Sequence, residues 1–203
     1  MSEMYDDKTY EEWQAELEKQ DFHNIRHLHT LFGLFGSPPT MLDVGCGTGK
    51  LVKVARMLGV EAYGVDQMVD ESDERDYDKG WFSHHDLRHT FSLSEHERPG
   101  VVDLVLCWEV AEHIPTEYSD NFLNTLASHV ANNEHAALVF TSAHPGQGGI
   151  AHENEKPAQF WRDELYKRGL NYQDSHSKNL ALLWTNINSP LWWLASNVQV
   201  FKR

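Results

Sequence analysis

The side chains able to do chemistry fall in four short stretches. The first, Leu42-Asp43-Val44-Gly45-Cys46-Gly47-Thr48-Gly49, sets three glycines at alternate positions between an apolar run (Met41, Leu42, Val44) and an apolar helical pattern (Leu51, Val52, Val54, Ala55, Leu58). That is a strand turning sharply into a helix, where backbone without Cβ atoms lets a nucleotide-like molecule approach amides at the helix N-terminus. The spacing excludes two relatives: a P-loop needs Ser or Thr after Gly-Lys, but Leu51 follows Lys50, and the dinucleotide fingerprint needs glycine at position 50. Asp43, entering the turn, repels a pyrophosphate and suits a cationic ligand. The other three stretches supply acids and histidines: Tyr63-Gly64-Val65-Asp66, Ser83-His84-His85-Asp86-Leu87, and Asp103 to Pro115, which holds Cys107, Trp108, Glu109, Glu112 and His113.

The elements that must position these groups alternate. Strands are expected at 40–44, 61–65, 81–84, 101–107, 135–141, 170–175 and about 197–202, with helices at 49–58, 117–131 and 157–168. Near-continuous apolar strands (Val101 to Leu106, Ala136 to Phe140) imply a sheet covered on both faces. The expected fold is therefore α/β: a Rossmann-like, doubly wound seven-stranded sheet, mostly parallel with an antiparallel last strand. Ligands in such sheets sit beyond the strand C-termini, where strand order reverses. Two helices, 9–20 and 22–35, precede the first strand as an N-terminal extension. Residues 177–196 interrupt the alternation with a short helix at 178–184 and a cluster of Trp184, Trp192 and Trp193, read either as a hydrophobic cap on the sheet or as a substrate wall.

The chain of 203 residues is expected to form a single domain: N-terminal helices to 39, a cofactor-binding core from 40 to 176, then a cap segment and last strand. The formal net charge of -14 disfavours nucleic acid as a partner, because phosphate calls for a basic surface. No apolar run is long enough to span a bilayer, and the acidic start, Met1 to Asp7, is the wrong chemistry for a signal peptide, so a cytoplasmic location is expected. Cys46 and Cys107 read as reduced packing residues there.

Leu42 to Gly49 closely resembles motif I of the class I S-adenosylmethionine-dependent methyltransferases, and the later stretches resemble that family's other signposts in order, over roughly residues 40 to 175. The resemblance implies that Asp43, Gly45, Cys46, Gly47 and Gly49 seat the methyl donor. It places Asp66 on the two ribose hydroxyls, which a carboxylate can accept together, with Gln67 beside it. Asp86 accepts from the adenine amino group and Leu87 flanks the ring. Asp103 to Pro115 resembles motif IV in its small-molecule form, so Cys107, Trp108 and Glu109 border the methionine arm. The implied cofactor is S-adenosyl-L-methionine, with S-adenosyl-L-homocysteine as product.

Methyl transfer to a hydroxyl also needs a proton removed, and histidine is the natural base near neutral pH. His113 is the first choice, followed by His144 and His152, with Glu109 at the same strand end. Glu109, Glu112 and His113, at i, i+3 and i+4, offer a competing account as ligands of a divalent metal, as in quinone-type O-methyltransferases with a similar Glu-x-x-Glu-His motif. The loop Ala143 to Pro157 adds three glycines and the polar Gln147, His152 and Asn154, suited to hydroxyl-rich ligands; with Phe160-Trp161 it looks similar to a loop of methyltransferases acting on sugars or glycan ends. The expected activity is O-methylation of a small molecule or sugar. Alternatives are a protein or nucleic-acid acceptor, or a subunit that binds the cofactor without catalysing.

Overall fold

The computed structural model describes residues 23–67, 80–96, 98–187 and 189–203. The expected helix at 9–20 and residues 68–79 lie outside these. Helix α1 (23–35) buries Leu28, Leu31 and Phe32. Then come β1 (Thr40–Val44), α2 (Lys50–Met57), β2 (Glu61–Asp66), β3 (Phe82–His84), β4 (Leu104–Trp108), α3 (Ser119–His129), β5 (Ala137–Thr141), α4 (Ala158–Lys167), β6 (Asn171–Tyr172), α5 (Asp174–Asn186), α6 (Trp192–Asn197) and β7 (Gln199–Lys202).

The sheet has seven strands in the order β3-β2-β1-β4-β5-β7-β6. β1 pairs in parallel with both β2 and β4, while β7 runs antiparallel to β5 and β6, as expected for a doubly wound sheet with a reversed last strand. Strand order reverses between β1 and β4, which opens a crevice at their C-terminal ends. Alternation along each strand splits the core into two layers. Leu42, Val44, Val65, Val105, Cys107, Leu138 and Phe140 pack with α3 and α4 on one face; Met41, Ala62, Leu104, Leu106 and Val139 pack with α1, α2 and α5 on the other.

Several expected boundaries move, three of them for a visible reason. β4 begins at Leu104, not 101, because Val101 is exposed and Val102 makes only an isolated bridge to Val130. β6 has two residues where six were expected, and the short helix expected at 178–184 starts at Asp174. The run Gln173-Asp174-Ser175-His176-Ser177 explains both: Asp174 lies in the helix's first turn, where its charge suits the helix dipole, and Ser177 donates to the Gln173 carbonyl at 2.8 Å. Residues 192–197, read only as an aromatic cluster, form α6.

Candidate active site

Glycine geometry builds the crevice floor. Gly45, Gly47 and Gly49 all have positive φ (80, 52 and 72°). A Cβ on Gly45 would stand 2.3 Å from Val110 Cγ2, and one on Gly49 2.3 Å from Phe82 Cε1. The turn's amides are largely consumed by the protein itself. Those of Gly45 and Cys46 donate to the Val65 carbonyl, that of Gly49 to the Cys46 carbonyl, and that of Gly47 to Asp66 Oδ2 at 2.9 Å. The glycines thus contribute space for a close approach more than hydrogen-bond donors.

A cavity of about 440 Å³ lies over this floor at the C-terminal ends of β1, β2 and β4. Of the expected site residues, Asp43, Gly45, Cys46, Gly47, Asp66, Gln67, Asp86, Leu87, Trp108, Glu109, His113 and His152 line it. Gly49, Cys107, His144 and Glu112 do not. Gly49 is packed beneath Phe82. Cys107, fully buried, points to the opposite sheet face from its neighbour Trp108 by strand alternation. His144 sits at a turn, where its carbonyl accepts from the Gln147 amide. Glu112 has no exposed surface and accepts from the Ala143 amide at 3.1 Å. Asn154, read as a ligand-binding group, is instead a buried brace, donating to Ser119 Oγ and accepting from Thr116.

Electrostatics divide the acids. Asp43 is buried, and desolvation followed by the charge of Asp66 pushes it up to about 7. Burial, then the Glu109 charge, drives Glu112 well above the usual carboxylate range. Burial also acts to raise Asp86, but hydrogen bonds and charge from Arg88 prevail and its net direction is down. Both Asp86 oxygens accept from Arg88, so much of its capacity for an adenine amino group is already used. Glu109 carries a positive φ of 55° and accepts from the side-chain amides of Asn197 and Gln147. A residue held in that region at a cavity edge marks a backbone fixed by its surroundings.

The histidines differ too. His113 is pushed down to about 4 by burial and then by His152, and its Nδ1 donates to the Ala151 carbonyl at 3.2 Å. The His113 and His152 rings meet edge to face, 4.9 Å between centroids. Donor atoms of Glu112, His113 and His152 lie within 4.8 Å of one another. The structure therefore groups His152, not Glu109, with the other two members of the expected metal triad.

Several lining residues escape sequence reasoning: Asn24 of α1, Lys50, Val110 and Ile114. Asn24 adjoins the apolar stripe of its helix, and nothing local distinguishes it. Asn197, which holds Glu109, lies 88 positions away along the chain, and no short-range pattern could connect them. The tryptophan cluster divides: Trp184 is buried against Trp108, while Trp192 and Trp193 line the cavity.

The family model described as "Methyltransferase domain" matches residues 15–188. The chain belongs to the methyltransferase-domain family. Its glycine turn and ordered acids resemble those of class I S-adenosylmethionine-dependent methyltransferases. A ubiquinone biosynthesis O-methyltransferase of Shewanella halifaxensis is 28% identical over 116 residues, which are 53% of this chain and 48% of that protein, so the match spans about half of the relative. Among solved structures, magnesium protoporphyrin IX methyltransferase from Synechocystis PCC 6803, with bound SAH, superposes with a TM-score of 0.58 at 18% identity, covering 93% of this methyltransferase and 84% of that chain. A sugar N-methyltransferase from a Streptoalloteichus species gives 0.58 at 16% identity, covering 86% and 84%.

The lining chemistry fits a cationic methyl donor. Among the described residues, four carboxylates (Asp43, Asp66, Asp86, Glu109) line the cavity against one lysine, Lys50, and Leu87, Trp108 and Ile114 supply apolar surface. That set repels a polyphosphate and favours a ligand with a positive centre and a diol.

Proposed function

We propose that this methyltransferase transfers a methyl group from S-adenosylmethionine to an oxygen of a small molecule or sugar, as a single domain, with a cavity histidine taking the acceptor's proton. The observation that carries this reading is the mixed lining of the cavity. Acids at the ends of β1, β2 and β4 and the glycine turn share it with the polar Gln147 and His152 and the aromatic Trp192 and Trp193. The cofactor, when bound, supplies an electrophilic methyl on a sulfonium.

The chain's own residues do the rest. Asp66 accepts ribose hydroxyls, Asp43 faces the positive charge, and the glycine floor and Gln67 keep the nucleoside against the turn. Asp86 and Leu87 border the adenine. Trp108 and Glu109 hold the methionine arm near the end of β4, excluding water and orienting it, which is the larger part of catalysis for a displacement of this kind. Aromatic walls with hydrogen-bonding groups suit a ring bearing hydroxyls, and about 440 Å³ is the scale of small-molecule sites. The names of the relatives, a ubiquinone-pathway O-methyltransferase and a sugar N-methyltransferase, support a small acceptor. Screening methyl transfer to sugars, phenols, peptides and nucleic acids tests the reading: turnover on a sugar or phenol is expected, and turnover confined to a peptide or nucleic acid would overturn it.

A further inference from the structure

The loop from Gly146 to Glu155 is tied together by one carboxylate. Glu155 Oε2 accepts from the Gly146 amide at 2.7 Å, and Oε1 accepts both from the Gly148 amide at 2.8 Å and from His152 Nδ1 at 2.9 Å. His152 lines the cavity with Gly148 and Gly149, whereas Glu155 does not. Gly149 is fitted to the ring: a Cβ there would stand 2.2 Å from His152 Nε2. Ala151, between them, adopts a φ of 56°, rare for a residue with a side chain, and its carbonyl accepts from His113. Two histidines thus stand together with different partners, a carboxylate behind His152 and a neutral carbonyl behind His113.

We propose that Glu155 is the positioning residue that makes His152, rather than His113, the proton acceptor for the substrate hydroxyl, and that the same carboxylate fixes the glycine loop beside the cavity. This rests on the reading of the site as a methyltransferase acting on a hydroxyl. A carboxylate accepting from Nδ1 holds the neutral ring as the Nδ1–H tautomer, leaves Nε2 basic, and stabilises the imidazolium once formed. A backbone carbonyl behind His113 fixes a tautomer but offers no compensating charge. The acceptor hydroxyl gives its proton to His152 Nε2 and its electron pair to the methyl carbon, and the carbon–sulfur pair stays on sulfur as a neutral thioether. The hydrogen bond from His152, and then those from the Gly146 and Gly148 amides, hold the Glu155 carboxyl below the usual carboxylate range.

The test compares full-length wild type with Glu155→Gln, Glu155→Ala, His152→Ala and His113→Ala. Without cofactor or acceptor, long-range proton–nitrogen NMR should show His152 as the Nδ1–H tautomer in wild type and a shift towards Nε2–H in Glu155→Ala, and amide exchange at Gly146 and Gly148 should accelerate at least ~10-fold. An unchanged tautomer would overturn the positioning role whether or not an acceptor is known. With an acceptor from the screen, Glu155→Gln should lower kcat by ~10–100-fold, leave cofactor affinity unchanged and move the acidic limb of the kcat–pH profile to lower pH, while His152→Ala should cost more than His113→Ala. Faster exchange with an unmoved pH limb would make Glu155 a loop brace alone and sink the catalytic part. A methyltransferase inactive on every hydroxyl acceptor would defeat the parent reading, not the tautomer result.

Discussion

Asp43 at the end of β1 is buried beside Asp66 at the end of β2, and burial together with that neighbouring charge pushes Asp43 up to about 7. An ordinary unfolded carboxylate titrates near 3.8. The folded group therefore holds its proton more tightly, so the cofactor-free protein should lose stability as pH rises from about 4 to about 7. The loss should amount to a few kcal/mol, since each tenfold difference in proton affinity between the folded and unfolded chain is worth about 1.4 kcal/mol. Urea denaturation across that range should show the slope, and Asp43→Asn should flatten it. A cationic ligand favours ionised Asp43, so binding near pH 6 should release up to about one proton, visible in calorimetry as a dependence on the buffer's ionisation enthalpy. Equal slopes for wild type and Asp43→Asn would remove this assignment.

Asp66→Ala should weaken cofactor binding by ~1–3 kcal/mol, roughly 10–100-fold in Kd by calorimetry, since a ribose diol would lose its charged acceptor. The variant also removes the acceptor of the Gly47 amide, so the turn's folding must be checked by its melting temperature. Unchanged affinity would refute the ribose role. Because Asp66 is the second cause of the high Asp43 value, the stability slope described above should shrink in the same variant without vanishing.

The positions of Asp43, Asp66 and Trp108 are legible in the sequence because each sits at the end of an apolar strand, and parallel pairing brings those ends together. Cys107 is misplaced by the same reasoning, because adjacency along a strand puts neighbours on opposite faces. Spacing cannot choose between His113, His144 and His152. Their distinction lies in a carboxylate, a carbonyl and a turn supplied by a loop whose conformation depends on tertiary hydrogen bonds. Likewise Asp86 reads as a free acceptor until Arg88, two residues on, is seen folded back on it.

Gly45→Ala should destabilise the protein by about 1–3 kcal/mol, combining the cost of a side chain at φ 80° with a Cβ 2.3 Å from Val110 Cγ2. The two parts separate. Trimming the neighbour in Gly45→Ala/Val110→Ala should relieve the clash and leave the backbone cost, so the Gly45→Ala penalty measured in a Val110→Ala background should be smaller than in wild type. Thermal denaturation of the four proteins closes the cycle. Identical penalties in both backgrounds would show that Val110 does not limit the turn.

Chelation should leave the methyltransferase active at neutral pH. Glu112, His113 and His152 place donor atoms within 4.8 Å of one another, but the carboxyl member is buried among apolar and acidic neighbours that disfavour its ionised form. Burial, then the Glu109 charge, pushes the Glu112 carboxyl well above the usual carboxylate range, and one of its oxygens accepts from Ala143. His113 donates through Nδ1 to Ala151, and His152 through Nδ1 to Glu155. A divalent cation needs the ionised carboxylate that this upward shift disfavours, so its affinity should rise with pH. Added zinc, which takes imidazole readily, should inhibit more strongly at about pH 8 than at about pH 6, and His152→Ala should lessen zinc binding read directly by calorimetry. Activity lost to a chelator and restored by magnesium would instead make this cluster a resident cation site, and Glu112→Gln would then be as damaging as removal of the base.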